Sequence, residues 1–222
     1  ADPRLVWLRR DLRLSDHPAL AAAAASGPVV LLFVLDPAFF DGAGAIRQGW
    51  LAANLLALRD DLGGRLCLRR GAPELVVPAL AAEVGATEVH VSAETEPAGR
   101  ARDDRVQAAL VPAGVAWVAT GSPYAVTPGR VRNRDGGGFA VFTAFHRGWR
   151  EHGWRGPALR PDPLVTIDAP GDESAWQLVE KAAAACPIDL PPAGEAAARL
   201  GQPDMLSLKR ARLYGQLLCC SG

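Results

Sequence analysis

The sequence has little cysteine, no net charge and no apolar run long enough to span a membrane. Its four cysteines form no C-x-x-C pair, which argues against a disulfide scaffold and against a cysteine zinc site. The longest apolar run, PVVLLFVL, has the length of a buried strand. Because 24 basic residues balance 24 acidic ones, no general attraction to nucleic acid follows, although a local patch could still provide one. The first residues lack a secretory signal, so we expect a reduced, cytoplasmic protein without a membrane contact.

Glycine-rich phosphate loops are also missing. The first strand leads into RRDLRLSD, which contains neither G-x-G-x-x-G nor G-x-x-x-x-G-K-[ST]. A dinucleotide or P-loop site at this point is therefore not expected. The four histidines are dispersed along the chain, so we predict no catalytic histidine and no metal site.

Five short apolar segments alternate with helical stretches over the first half of the chain. Strands that are apolar on both faces, separated by helices of ten residues or more, are typical of a parallel sheet covered on both sides. The sequence therefore predicts an α/β fold, a three-layer Rossmann-like domain with a five-stranded parallel sheet. The predicted strands are 4–8, 28–35, 65–70, 87–92 and 115–119, and the predicted helices are 16–26, 45–62, 73–84 and 98–111.

The character of the chain changes after Thr120. A turn-rich segment leads into an aromatic helix at about 139–152, and residues 130–160 carry seven arginines against two acidic residues. The aromatic spacing favours packing against the sheet or against a further domain over a DNA contact. The following stretch is proline-rich and acidic, with one short helix near 172–184, and a basic amphipathic helix is predicted after Ser207. We predict an α/β domain at 1–155, followed at 156–222 by an irregular, partly helical connector and a truncated or divergent tail.

The charged stretch WLRRDLRLSDHPAL, residues 7–20, resembles the N-terminal signature of the DNA photolyase and cryptochrome family. In that signature an R-x-D-L-R core and D-N-P-A-L follow the first strand, and here His17 replaces the asparagine. Three further segments are similar to the family in the same order: LLFVLDP, ETEPAGRARDDRV and FAVFTAFHRGW. From the residues alone, Ser15 and Asp16 are candidate caps of the first helix, and Asp11 and Asp16 can pair with the neighbouring arginines.

The resemblance implies an antenna-binding α/β domain of a deoxyribodipyrimidine photolyase, a flavoprotein lyase of DNA repair. The catalytic FAD and the contact with damaged DNA belong, in that family, to a C-terminal helical domain. This domain is the expected partner, the 222 residues alone are expected to be inactive in repair, and no catalytic residue is assigned to them. Self-association through the face turned toward the missing domain is a further expectation. A cryptochrome photoreceptor domain remains an alternative that the sequence does not separate from a photolyase.

The resemblance also implies which antenna is bound. Family members that use folate carry an Asn-Glu pair where this chain has Ala98 and Gly99, so folate is disfavoured. Members that use an 8-hydroxy-deazaflavin place its ring at positions matching four residues here, and Asp103 is within reach of the same ligand. The predicted cofactor-binding residues are Phe33, Leu35, Ala43, Arg47 and Asp103.

Each of these residues also has a purely structural interpretation. Phe33 and Leu35 would be buried in any such sheet, and Asp103 can simply pair with Arg100 or Arg102. A regulator of the universal-stress-protein kind has the same layered sheet. It would need a glycine-rich phosphate loop near the fourth strand, where the chain offers only Gly99.

Overall fold

The computed structural model describes residues 2–205, with side chains to residue 200. The basic helix predicted after Ser207, with the Cys219 and Cys220 pair, lies outside this range. Within residues 2–205, no helix combines the length and the apolar character that a membrane span requires.

Five parallel strands form one sheet, as predicted, and their order in the sheet is β3-β2-β1-β4-β5. Val6 in the central strand pairs with Leu31 on one side and with His90 on the other. The chain therefore builds outward from β1 in one direction and then crosses to the other side of β1 to add β4 and β5. The strands are β1 (Arg4–Leu8), β2 (Val29–Leu35), β3 (Leu66–Arg70), β4 (Glu88–Val91) and β5 (Ala116–Ala119).

Helices cover both faces of the sheet and bury two apolar clusters. Successive strand side chains point to opposite faces, so Val6 and Leu8 belong to one cluster while Leu5 and Trp7 belong to the other. The first face is covered by α1 (Pro18–Ser26) and α3 (Ala45–Asp61), and the second by α4 (Pro73–Val84) and α5 (Pro97–Leu110). The three-layer prediction is confirmed.

The segment after β5, residues 120–205 and called the connector from here on, contains three helices, α6 (Phe142–His152), α7 (Glu173–Ala184) and α8 (Glu195–Met205), of which α6 lies inside the predicted 1–155 domain. Its middle part returns to the sheet, where Val29 exchanges backbone hydrogen bonds with Val165 and Ile167. Helix α7 then packs on α3 and β3 and inserts the buried Trp176 into the first cluster. The connector is therefore part of the core and not only a spacer.

Two local features differ from the sequence predictions. A short helix, α2 (Pro37–Phe40), follows β2, and its four residues are too few to produce a periodic pattern. Helix α1 is capped by His17, whose Nδ1 accepts a hydrogen bond from the Leu20 N–H at 3.1 Å, and not by Ser15 or Asp16. Asp16 lies in the left-handed region, with φ 48°, so its side chain turns away from the helix.

Candidate functional site

A cavity of about 300 Å³ opens at the carboxyl ends of β1 and β2. Ligands of open parallel sheets bind at this edge because the loops there can vary without disturbing the core. The walls are mostly apolar, and arginines lie around them. The cavity, called here the β1–β2 cavity, is lined by Trp7, Leu8, Arg9, Arg10, Phe33, Val34, Leu35, Asp36, Phe39, Phe40, Ala43, Arg47, Gln48, Leu51, Pro73 and Arg102.

Four of the five predicted binding residues line this one cavity. Phe33 and Leu35 are buried at the end of β2, Ala43 lies in the turn after α2, and Arg47 lies in the first turn of α3. Within the residues that the structure describes, Arg47 has no carboxylate oxygen within 4.0 Å. The structure thus brings together an apolar slot and one cation that no carboxylate neutralises.

Asp103, the fifth predicted residue, does not line the cavity. It is buried on α5, where Nη1 of Arg9 donates to both of its carboxylate oxygens at 2.6 Å. Arg102 donates to Oδ1 of Asp103 at 2.8 Å, so the local pairing that the sequence allowed is present as well. Both arginines line the cavity, and Asp103 therefore positions two wall residues from behind.

Trp7 lies beneath these two arginines. The guanidinium carbons of Arg9 and Arg102 lie 4.9 and 5.0 Å from the centroid of its ring. Cations at this distance are attracted to the negative face of an indole. The ring also makes an edge contact with Trp117, with 6.3 Å between centroids. Trp7 is thereby fixed as a rigid part of the wall.

Glu94 closes the arginine cluster on its outer side. Its carboxylate lies 3.5 Å from Arg10 and 3.8 Å from Arg102 and accepts the backbone N–H groups of Thr95 and Glu96. Burial favours the protonated form, but these hydrogen bonds and charges outweigh burial, so the pKa of Glu94 is lowered. A Cβ atom added at Gly99 would overlap the Glu94 side chain. Position 99 therefore has no room for a side chain while Glu94 stays in place.

The crevice between β1 and β4, where the strand order reverses, is filled by the protein itself. Only about 10 Å³ remains there, between residues of the β1 end and the loop 92–94. Asp11 and Ser92 bond across the gap, and Arg9 donates to the Ser92 carbonyl. The usual ligand position of such sheets is thus closed, whereas the β1–β2 cavity at the same edge is open.

Asp11, His17 and Ser92 form a buried polar cluster below this crevice. Because Nδ1 of His17 accepts a hydrogen bond, the neutral ring carries its proton on Nε2, which lies 3.0 Å from Oδ2 of Asp11. Burial alone would raise the pKa of Asp11, but the bonds from His17, Ser92 and the Arg9 N–H hold it well below its usual range. None of these three residues lines the β1–β2 cavity. The Ser92 hydroxyl donates to Asp11 and not to His17, so the cluster is not arranged as a nucleophile hydrogen-bonded to a histidine base.

Sequence reasoning missed several wall residues. Trp7, Arg9 and Arg10 were noted only as part of a charged stretch, although their position at the end of the first strand was a usable signal. Gln48, whose Nε2 donates to the Phe40 carbonyl at 2.7 Å, belongs to no motif, so no signal in the sequence pointed to it. Residues 2–205 contain no group of three or more histidine, cysteine, aspartate or glutamate side chains placed to hold a metal ion.

Comparisons with known proteins find relatives over most of the chain. The DNA photolyase family model matches residues 4–164. The deoxyribodipyrimidine photo-lyase of Halobacterium salinarum is 35% identical over 212 residues, which cover 88% of this chain and 44% of that protein. The enzyme of the same name from a Synechococcus species is 35% identical over 173 residues, which cover 75% of this chain and 36% of that protein.

A crystal structure of a bacterial class III photolyase from Agrobacterium tumefaciens has the same fold. It superposes with a TM-score of 0.67 at 30% sequence identity, over 80% of this chain and 38% of that one. The chain thus spans less than half the length of each of these three proteins.

Proposed function

This chain belongs to the DNA photolyase family, and from that premise we propose that its α/β domain binds an antenna chromophore of the 8-hydroxy-deazaflavin type in the β1–β2 cavity. The observation that carries the proposal is the convergence of Phe33, Leu35, Ala43 and Arg47 on one cavity. These four residues come from a strand, a turn and a helix that are distant in sequence. A merely structural role would not require them to share one open space.

The size and lining of the cavity suit a flat heteroaromatic ring. Its volume of about 300 Å³ is at the lower end of small-molecule sites, which span roughly 300 to 1,000 Å³. Phe33, Leu35 and Ala43 supply apolar surface for such a ring, and Arg47 supplies a donor for an oxygen at its edge. When bound, the chromophore would absorb near-ultraviolet or blue light and pass the excitation to a flavin.

The remaining charged residues would keep the site in shape. Asp103 holds Arg9 and Arg102 against Trp7, so this wall needs no rearrangement when a ligand enters. Glu94 and Gly99 bear on the choice of antenna. The side chain of Glu94 takes the space that a larger residue at position 99 would need, which supports the exclusion of folate.

For the whole protein we propose light-driven repair of pyrimidine dimers, with FAD and damaged DNA bound by a C-terminal domain. The proposal rests on the names of the Halobacterium and Synechococcus relatives, which favour a photolyase over a cryptochrome or a stress-protein regulator. No dimer splitting is assigned to the 222 residues themselves. Self-association through the face turned toward that domain stays a prediction.

Reconstitution tests the antenna proposal. We expect the chain, produced in a host without deazaflavin, to take up added 8-hydroxy-deazaflavin riboside at a ratio of about one per chain, with a shifted absorption band and polarised fluorescence. Arg47→Ala should weaken binding by about tenfold, the value of one charged hydrogen bond of roughly 1.5 kcal/mol. Ala43→Trp should abolish binding because the indole fills the slot.

The matched control is Ala82→Trp, which adds the same ring to an exposed position on α4. It should bind like the unchanged protein, and circular dichroism should show all variants folded. Binding that survives Ala43→Trp would place the chromophore elsewhere. Tighter uptake of a folate than of the deazaflavin would overturn the choice of antenna.

A further inference from the structure

The connector forms a second groove, which shares no lining residue with the β1–β2 cavity. It lies between the loop 130–134 and one face of α6, and it encloses about 690 Å³. Gly148 leaves room on α6 for Phe139 and Val131, since a Cβ at position 148 would lie 3.0 Å from the Phe139 ring. This connector groove is lined by Arg130, Val131, Arg132, Asn133, Arg134, Phe139, Ala144, Arg147, Gly148, Glu151 and His152.

The loop that forms one wall is held in place by its own hydrogen bonds. The Asn133 side chain accepts from the N–H groups of Asp135 and Gly137 and donates to the Gly138 carbonyl, at 2.8 to 3.0 Å. Arg132 donates to the carbonyls of Gly129 and Gly136. The wall is therefore pre-organised, and a ligand would not have to order it.

The groove concentrates positive charge in a chain that is neutral as a whole. Four arginines line it against one glutamate. Arg130, Arg134 and Arg147 have no carboxylate oxygen within 4.0 Å among residues 2–200. An apolar protein surface placed on this groove would bury these guanidinium groups without a counter-charge, which is costly. The charge therefore favours an anionic occupant.

Helix α6, together with Trp154 just after its end, carries a stack of aromatic rings beside the basic surface. Centroid distances are 5.8 Å between Phe142 and His146, 6.5 Å between His146 and Trp149, and 4.9 Å between Trp149 and Trp154. Neighbouring rings in this stack are inclined by at most 25°. Its end rings, Phe142 and Trp154, are 75% and 60% exposed, so each offers a free face. Nearly parallel, exposed rings are suited to stacking with bases.

The aromatic spacing favours packing against the sheet or a further domain over a DNA contact, but no residue of α6 is buried among residues 2–205. We propose instead that the connector groove and the ring stack bind single-stranded nucleic acid. The arginines of the groove contact phosphates, and the end rings of the stack receive unpaired bases. An acidic protein segment would satisfy the arginines but would leave the ring faces without a matching partner. The inference does not depend on the chromophore, because the connector groove shares no residue with the β1–β2 cavity.

Fluorescence anisotropy with a labelled oligothymidylate of about 12 nucleotides tests the proposal on the 222-residue chain. The triple variant Arg130→Ala, Arg134→Ala, Arg147→Ala should bind at least tenfold more weakly. Its dependence of log K on log salt should be less steep by about 2, because each lost phosphate contact on a single strand contributes roughly 0.7. Trp154→Ala should weaken binding severalfold and leave the salt dependence unchanged.

The matched control removes the same charge elsewhere, with Arg65→Ala, Arg100→Ala and Arg105→Ala at exposed positions. It should bind like the unchanged chain. Lysine at the three groove positions should keep most of the affinity, which separates lost charge from lost folding. Equal binding by groove and control variants would overturn the proposal. So would equally tight binding of a duplex, or displacement of the oligonucleotide by poly-glutamate at equal charge concentration, since that would indicate an acidic protein partner.

Discussion

At the residue scale, Asp11 in the charged stretch after the first strand stabilises the fold and does not line the β1–β2 cavity. Asp11 is almost fully buried, accepts hydrogen bonds from Ser92 and the Arg9 backbone, and lies 3.0 Å from Nε2 of His17. Each of these donors would lose its partner without the carboxylate. Arg9, in contrast, turns its side chain to Asp103 and lines the β1–β2 cavity. Neighbouring residues of one motif thus have different roles.

Asp11→Ala is expected to lower the free energy of unfolding by roughly 2 to 3 kcal/mol, because the buried donors of Ser92 and Arg9 lose their acceptor. Chromophore affinity of the protein that remains folded should stay nearly unchanged, since Asp11 does not line the cavity. Urea unfolding and fluorescence titration measure the two quantities. Asp104→Ala, an exposed position on α5, is the control and should change neither. Lost affinity at unchanged stability would return Asp11 to the ligand site.

At the scale of elements, the loop between β1 and α1 fastens the connector to the sheet. Asp16 accepts the Ala158 N–H at 3.0 Å and lies 2.5 Å from Arg155. From the other side, the Glu195 carboxylate on α8 accepts the N–H groups of Leu14 and Ser15 at 2.8 and 3.2 Å. A carboxylate of the loop thus binds one part of the connector, and a carboxylate of another part of the connector binds the loop. Two separate parts of the connector are therefore held at one place.

The attachment of α8 should depend on pH. Burial would raise the pKa of Glu195, but Arg199 and the two backbone donors outweigh burial and lower it to about 2 from 4.5. The carboxylate therefore stabilises the attachment fully above pH 4.5, and this contribution is lost between pH 4.5 and 2. Hydrogen exchange of the peptide 190–200 should lose protection in this window.

Glu195→Gln should show weak protection of that peptide at neutral pH and no further loss in the same window. The control Glu173→Gln changes an exposed carboxylate at the start of α7 and should keep the pH dependence of the unchanged protein. If Glu195→Gln kept it as well, another group would control the attachment.

At the scale of the whole molecule, the α/β domain and the connector share one core. Helix α7 covers α3 and β3, and it buries Ala175, Trp176 and Val179 in the same cluster as the sheet. Arg59 of α3 lies 4.5 Å from the Trp176 ring centroid. The sequence predicts a domain boundary at residue 155, and its place as a limit of independent folding stays a prediction.

The stability of truncated chains tests whether residues 1–155 fold independently. A chain ending at residue 155 should be less stable than one ending at 190 by more than about 3 kcal/mol, because removal of one large buried aromatic side chain alone costs about 3 to 5 kcal/mol. Urea unfolding followed by circular dichroism gives both values. Trp176→Ala in the longer chain should reproduce much of the loss, while Leu178→Ala, at a more exposed position, should cost far less. Equal stability of the two truncated chains would make residues 1–155 an independent domain.

The sequence by itself determined the layered parallel sheet and most of its elements. Strand and helix patterns are local, and runs such as Val29–Leu35 are apolar on both faces only when helices cover both. The family motifs also identified four residues of the β1–β2 cavity. The sequence did not foresee the cap of α1, because His17 competes with Ser15 and Asp16 for that place and the positive φ of Asp16 decides the outcome.

Only the tertiary structure decided how these residues are combined. Asp103 is separated from Arg9 by seven elements of the chain, and their ion pair exists because β1 and α5 meet at one edge of the sheet. Two further features also depend on how separate elements meet. One is the overlap between Glu94 and any side chain at position 99, and the other is the packing of α7 into the core. Local patterns fix secondary structure through short-range sterics and burial, whereas ion pairs and cavities depend on distances between segments that no local pattern encodes.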